Sequence, residues 1–284
     1  MAVKHYGTIN KTGSNAFITA APAKINITLR IGKKGDDGMH NIESVMQTVS
    51  CPADHVELEV AMRGQDKGIY GCVVSKNGNN IVAKALYELS KEAGHLPCKV
   101  TLHKSIPVAA GMGGGSSDAA AVLRLANHAF GIGMEANDMD RIASRLGNDV
   151  AFLTRGGRAI VNGGMRHAIR DIAEIPDLYY LIARPHMRLS TKKMYDLYDS
   201  KRSDATAPSS NDFTSIACTL CPDTKRLLDV MDDRNAVEAG VTGKGPTVFA
   251  GYSTYGACEE KGNSIFGWLN GDIFIGAPTR RMEG

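Results

Sequence analysis

The densest chemistry-bearing stretch of the chain is Gly111-Met112-Gly113-Gly114-Gly115-Ser116-Ser117. It lies between an apolar, strand-like run and a segment whose Ala, Leu and Val residues recur at helical spacing. Glycines let the backbone approach a ligand closely and take positive φ. The first N–H groups of the following helix have no intrahelical acceptor, and the positive end of the helix dipole stands behind them. Such a place binds anions, and phosphate is the usual occupant. Ser116 and Ser117 could cap the helix or reach phosphate oxygens. A tight turn that binds nothing is the bland alternative, but so many glycines cost much chain entropy for a mere turn. Spelling excludes two familiar loops. There is no G-x-x-x-x-G-K-[ST], and a G-x-G-x-x-G reading breaks at Ser116.

Three further segments carry reactive side chains. Lys24 interrupts an apolar strand in Pro22-Ala23-Lys24-Ile25-Asn26, Asp149 follows a helix end in Gly147-Asn148-Asp149-Val150, and Thr242-Gly243-Lys244-Gly245 is a second flexible turn. Taken singly, the lysine reads as an edge-strand residue pointing to water and the aspartate as a turn residue.

Local patterning predicts the elements that would carry these groups. Residues 17–31 read as a strand interrupted near Pro22, followed by a charged turn, Gly32–Gly38. Strands are expected over Ile42–Val49, His55–Val60 and Lys99–Ser105. A turn at Asn77–Asn80 leads to a helix over Ile81–Ala93, closed by Gly94. Helices are expected over Ser117–Phe130 and Met139–Leu146, then short strands over Val150–Thr154 and Arg158–Val161. Beyond Pro176 come a strand, Leu178–Arg184, a helix, Thr191–Leu197, a polar loop, Lys201–Asp212, a helix, Cys221–Asp233, and a glycine turn with a strand across 240–252. The mixture implies an α+β fold. The 284 residues suit two domains, 1–175 and 176–284.

Composition narrows the function classes. A net charge of +3 is too weak for a nucleic-acid footprint. No run of about 18 apolar residues exists, so no membrane span is expected, and the first twenty residues lack the apolar core of a signal peptide. The cytoplasm is the expected location. Of six cysteines, only Cys218 and Cys221 have metal-like spacing, and with no second pair they read as reduced thiols.

Taken together, the motifs resemble the GHMP kinases, named for galactokinase, homoserine kinase, mevalonate kinase and phosphomevalonate kinase. The matching residues are PAKIN at 22–26, DGMH at 37–40, IPVAAGMGGGSSDAA at 106–120, LGNDVAFL at 146–153, ND at 211–212 and TGKGPTVFA at 242–250. The resemblance implies a ribosomal-S5-like N-terminal domain that binds ATP and carries the catalytic residues. It implies a ferredoxin-like C-terminal domain on the substrate side, with the site between the two. Asp149 becomes the catalytic base and Lys24 its partner. Asn80 becomes an adenine-side contact, and Gly111, Gly113, Gly114, Gly115, Ser116 and Ser117 hold the phosphates of ATP, with Mg²⁺ bridging two of them. Asn26, Met39, His40, Thr191, Tyr195, Thr242 and Gly243 become substrate contacts. The D-G-x-H and L-G-x-D-V elements point to the branch of the family that phosphorylates a CDP-linked methylerythritol; another alcohol is the alternative acceptor. Two positions depart from that branch. Met39 stands where an aromatic residue is usual, and Lys244 where a small or hydroxyl residue is usual.

Overall fold

The computed structural model describes residues 7–35, 38, 40–61, 71–72, 80–163, 168–173, 177–201 and 210–281. Met39 and residues 77–79 and 202–209 of the expected turns and loops lie outside them. Two strands frame the first half. After a short β1 (Asn10–Lys11), β2 (Ala16–Asn26) pairs with β4 (His40–Val60) on both sides of an irregularity at Pro22, as expected, and the expected strand 17–31 divides at residues 27–29 into β2 and β3 (Arg30–Lys34). Thus the first residues of the expected charged turn belong to β3. The two strands expected over 42–60 are one. What looked like a break between them is a slip of register, from Pro22 opposite Ala53 to Ala23 opposite Val49. Proline offers no N–H to the ladder, and a bulge absorbs the lost bond.

The rest of the first half alternates. β5 (Gly71–Cys72) and β6 (Cys98–His103) pair in parallel and flank α1 (Ile81–Ala93). Asn80 caps α1 by accepting the Val82 N–H at 2.9 Å, and Gly94 closes it at φ 82°. Then follow α2 (Gly114–Ala129), α3 (Ala136–Leu146), α4 (Asn148–Arg155), β7 (Arg158–Asn162) and β8 (Ala168–Asp171). An eight-stranded sheet results, ordered β1-β2-β4-β6-β5, with β3 and β7 also on β4 and β8 outside β7.

One expectation fails here. Val150–Thr154, read as a strand, lies inside α4. A short apolar run fits a buried strand or a buried helix equally well. Tertiary burial decides, and all five residues are buried. Gly147 at φ 139° turns the chain and takes the Val150 and Ala151 N–H groups on its carbonyl, both at 3.1 Å. Helix α2 also begins three residues earlier than expected, inside the glycine run.

The second half contains β9 (Tyr179–Pro185), α5 (Thr191–Lys201), α6 (Thr214–Leu220), α7 (Pro222–Met231), β10 (Glu238–Val241), β11 (Val248–Tyr252), α8 (Tyr255–Phe266) and β12 (Gly271–Gly276). Its four strands are antiparallel in the order β10-β11-β9-β12, a β-α-β-β-α-β arrangement matching the ferredoxin-like expectation. The two sheets share an apolar layer in which Ala23, Ile25 and Val49 meet Tyr180, Ile182 and Phe249. The tail then returns to the first sheet. The Ser50 N–H donates to the Ala277 carbonyl at 2.8 Å, and the Thr279 N–H to the Thr48 carbonyl at 2.9 Å. No described helix is long and apolar enough to cross a membrane.

Candidate active site

A cleft of about 250 Å³ opens where β2, the N-termini of α2 and α4, the start of α5 and the β10–β11 turn meet. Its wall includes Lys24, Asn26, Asp149, Thr191, Tyr195 and Lys244. Residues spaced across the whole sequence are therefore brought to one place.

The glycine run is shaped by necessity. Gly111 and Gly113 have φ of 75° and 71°, where a side chain is strained. A Cβ on Gly111 would stand 2.7 Å from the Thr242 carbonyl oxygen, and one on Gly113 would stand 3.0 Å from Cγ of Lys24. The run is thus pressed against the second glycine turn on one side and Lys24 on the other. Gly113 caps α2 without any side-chain bond, and the first helical bond runs from the Ser117 N–H to the Gly113 carbonyl at 2.8 Å. The N–H groups of Gly114, Gly115 and Ser116 precede that bond and stay available to an anion. Ser117 differs from its expected role. Its side chain is buried and its hydroxyl donates to the Pro22 carbonyl at 2.7 Å, which ties α2 to β2. Ser116 sits half-buried at the helix start. Asn80, as the cap of α1, is not part of the cleft wall. A Cβ on Gly115 would stand 3.6 Å from its neighbour Ile81.

Lys24 is only 4% exposed, although sequence alone favours a solvent-facing edge lysine. Its Nζ donates to Asn26 Oδ1 at 2.5 Å and stands 3.7 Å from Asp149 Oδ2. Asn26 is buried in turn. Its amide donates to Ser44 Oγ at 2.7 Å, and its backbone N–H to the Thr242 hydroxyl at 3.0 Å. Thr242 Oγ1 also lies 3.3 Å from the Gly111 carbonyl. Asn26 and Thr242, expected as substrate contacts, thus first of all position the lysine and staple the second glycine turn to the first. Asp149 is in the first turn of α4, with its side chain 38% exposed to the cleft. There the helix dipole favours a negative side chain.

On the opposite wall, Thr191 opens α5 and its hydroxyl accepts Lys244 Nζ. Tyr195, one turn on, also faces the cleft. Burial, and secondarily the charge of Asp149, push its phenol up from the ordinary value. His40 does not reach the cleft wall. Its ring stacks on Tyr195, with centroids 5.3 Å apart and planes at 15°. Nδ1 lies 3.0 Å from the Gly32 carbonyl, and Nε2 pairs with Asp199 Oδ1 at 2.9 Å. Asp199 also accepts Lys34 at 2.5 Å; that bond leads the causes holding its carboxyl below the usual range. His40 therefore backs the aromatic wall.

Sequence reasoning missed the cluster behind the glycine run. Lys104 pairs with Asp54 and, at 2.5 Å, with Asp118. Asp54 also accepts the Ile106 N–H at 2.8 Å. Burial drives the Asp118 carboxyl up to about 7 against the pull of Lys104. Burial pulls Lys104 down, but hydrogen bonds to Asp118 and Asp54 lift it overall. The signal was available: a lysine ends the strand just before the run, and an aspartate follows its serines. Among the described residues no group of His, Cys, Asp or Glu forms a metal cage, and Cys218 and Cys221 are free thiols.

The pattern of the GHMP kinases N terminal domain matches residues 80–161. The 4-diphosphocytidyl-2-C-methyl-D-erythritol kinase of Listeria monocytogenes is 31% identical over 93% of this chain and 96% of its own length. The kinase of the same name from Caldicellulosiruptor saccharolyticus is 33% identical over 82% of this chain and 87% of its own. The crystal structure of a 4-(cytidine 5′-diphospho)-2C-methyl-D-erythritol kinase superposes with a TM-score of 0.71 at 24% identity, covering 92% of this chain and 99% of the other. The homoserine kinase of Cytophaga hutchinsonii shares the fold at 16% identity, with a TM-score of 0.70 over 97% and 99% of the two chains. The chain belongs to the GHMP kinase family, with the 4-diphosphocytidyl-2-C-methyl-D-erythritol kinases among its relatives.

Proposed function

We propose that the chain transfers the γ-phosphoryl group of ATP to the free hydroxyl of 4-diphosphocytidyl-2-C-methyl-D-erythritol, in the cytoplasm. One observation carries the reading: an ammonium and a carboxylate 3.7 Å apart face a cleft at whose edge a glycine-capped helix begins. Phosphoryl transfer needs positioned reactants and neutralised charge more than covalent help from the protein. The N–H groups of Gly114, Gly115 and Ser116 hold the phosphates. Asp149 orients the acceptor hydroxyl and takes its proton as that oxygen bonds to the γ-phosphorus and the bond to ADP breaks. Lys24, held by Asn26, stabilises the charge on the moving group. Tyr195 offers the base of the acceptor an aromatic face.

Magnesium fits this site in one manner. With no carboxylate cage among the described residues, the phosphates of the nucleotide themselves would hold the ion beside the N-terminus of α2, as is usual for Mg²⁺ on nucleotides. It would supply charge neutralisation on the phosphate oxygens.

Incubation with ATP, Mg²⁺ and a panel of alcohols that includes the CDP-linked methylerythritol tests the proposal. A new phosphomonoester on that compound, competed by CDP, is the expected result. Turnover of a different alcohol without competition by cytidine nucleotides would remove it.

A further inference from the structure

The cleft contains one more charge than the chemistry above uses. Among the described residues of its wall the charged ones are Lys24, Lys244 and Asp149, two cations against one carboxylate. Lys24 is committed to Asn26 and Asp149. Lys244 is not matched in this way. Its Nζ bonds the hydroxyl of Thr191, a neutral group, and no described carboxylate lies within 4.0 Å of it. Burial pulls its ammonium below the ordinary lysine range. A cation that loses water without gaining a counter-charge is costly, and an anionic ligand is what offsets the cost.

The backbone that presents Lys244 is held firmly. Gly243, at φ 57°, lies so close to Gly111 that a Cβ would stand 3.1 Å from its Cα. On the other side a Cβ on Gly245 would stand 3.0 Å from Cβ of Ala217. Through Thr242 the turn is bonded to Asn26, the residue that holds Lys24. Lys244 thus stands on a fixed platform between the phosphate-binding run and the helix that carries Tyr195.

Resting on the kinase reading, we propose that Lys244 is a phosphate-binding residue of the cleft, whose ammonium takes phosphoryl oxygens of a bound reactant. Two reactants carry such oxygens: the γ-phosphate of ATP, reached across the Gly111–Gly243 contact, and the diphosphate of the acceptor, which would pass beside Thr191 on its way to Tyr195. The rival is a tether in which Lys244 merely ties the turn to α5.

Three variants separate these. Lys244→Gln keeps a donor for Thr191 and removes the charge, Lys244→Met removes both, and Lys244→Arg keeps both. Calorimetry with ATP, CDP and cytidine reads each arm without needing turnover. If the ammonium binds the γ-phosphate, Lys244→Gln weakens ATP about tenfold and leaves CDP unchanged, in line with loss of one charge-assisted hydrogen bond. If it binds the acceptor, the same variant weakens CDP about tenfold and leaves cytidine and ATP unchanged. Lys244→Arg keeps at least part of the affinity in either case. Should Lys244→Gln bind both ATP and CDP within twofold of the parent, the proposal is overturned and the tether stands, whatever Lys244→Met does to the melting temperature. Failure of the kinase assignment looks different. The parent itself then binds no CDP, while the ATP arm still decides the role of Lys244.

Discussion

At the residue scale, the cleft spends several buried groups on placing one ammonium. Ser44 and Thr242 hold Asn26, Asn26 holds Lys24, and Lys24 stands beside Asp149. Asp149→Asn keeps the shape of that arrangement and removes the proton acceptor, so turnover should fall by about 10²–10⁴ with ATP affinity retained. Lys24→Ala should fall into the same range. The double variant should lose far less than the product of the two, because groups that act as a unit are not additive. Steady-state kinetics of the three variants checks this, and turnover near the parent's in Asp149→Asn would remove the base assignment. The aromatic wall makes a second case. Tyr195 faces the cleft and His40 supports it from behind. Stacking of a base on an aromatic side chain contributes about 1–3 kcal/mol. Tyr195→Ala should therefore weaken CDP more than His40→Ala does, as read by competition against the acceptor. The opposite order would mean that His40 touches the base itself.

At the element scale, α2 explains why glycine positions in one run are not interchangeable. A Cβ on Gly114 would lie 3.1 Å from Cγ2 of Ile106, and one on Gly113 would meet Lys24 at a strained φ. Substitution at either disturbs folding along with binding. Gly115 is exposed, helical, and has only an ordinary contact with Ile81. Gly115→Val should fold with nearly the parent melting temperature and bind ATP more weakly, while Gly113→Val should melt distinctly lower. Calorimetry together with thermal melts distinguishes the two. The same helix carries Asp118, whose carboxyl stands at about 7 against an ordinary 3.8. The folded chain keeps a proton there that the unfolded chain releases. The contribution of this group to stability is thus full below about pH 4, declines between about 4 and 7, and is flat above. Asp118→Asn should remove that decline from a series of urea midpoints taken across this range. An unchanged slope in the variant would assign the decline to other groups.

At the scale of the whole molecule, the two sheets are joined by more than apolar contact. Arg158 on β7 forms a two-pronged pair with Glu238 on β10, at 2.9 and 2.7 Å, and Tyr180 on β9 donates to the same carboxylate at 2.5 Å. Breaking this part-buried pair from one side leaves a charge without its partner and costs about 1–3 kcal/mol. Arg158→Met should lower stability by that order in urea unfolding, and adding Glu238→Gln should restore part of the loss. If the second change restores nothing, the pair does not join the sheets as described. We propose a domain division near residue 175. Residues 277–281 cross back to the first half at Thr48, Val49, Ser50 and Gly156, so the tail of the second half completes contacts of the first.

The sequence by itself determined whatever depends on near neighbours. The helix over Ile81–Ala93 was legible to the residue, because its cap, its apolar spacing and its closing glycine are all local. The glycine run ahead of α2 was legible because its glycines stand between an apolar stretch and a helical pattern, and the family was legible from motifs read in order. Less of the chain after Tyr252 could be read. Helix α8 has glycines at 256 and 262, which suppress the helical signal. Only the tertiary structure decided that Val150–Thr154 is helical, that Lys24 is buried against Asn26, that His40 lies behind Tyr195, and that Lys244 meets Thr191 and no carboxylate among the described residues. Each of these depends on partners far along the chain or on burial from several sides. Local propensity carries no record of such partners; they exist only once the sheets have packed.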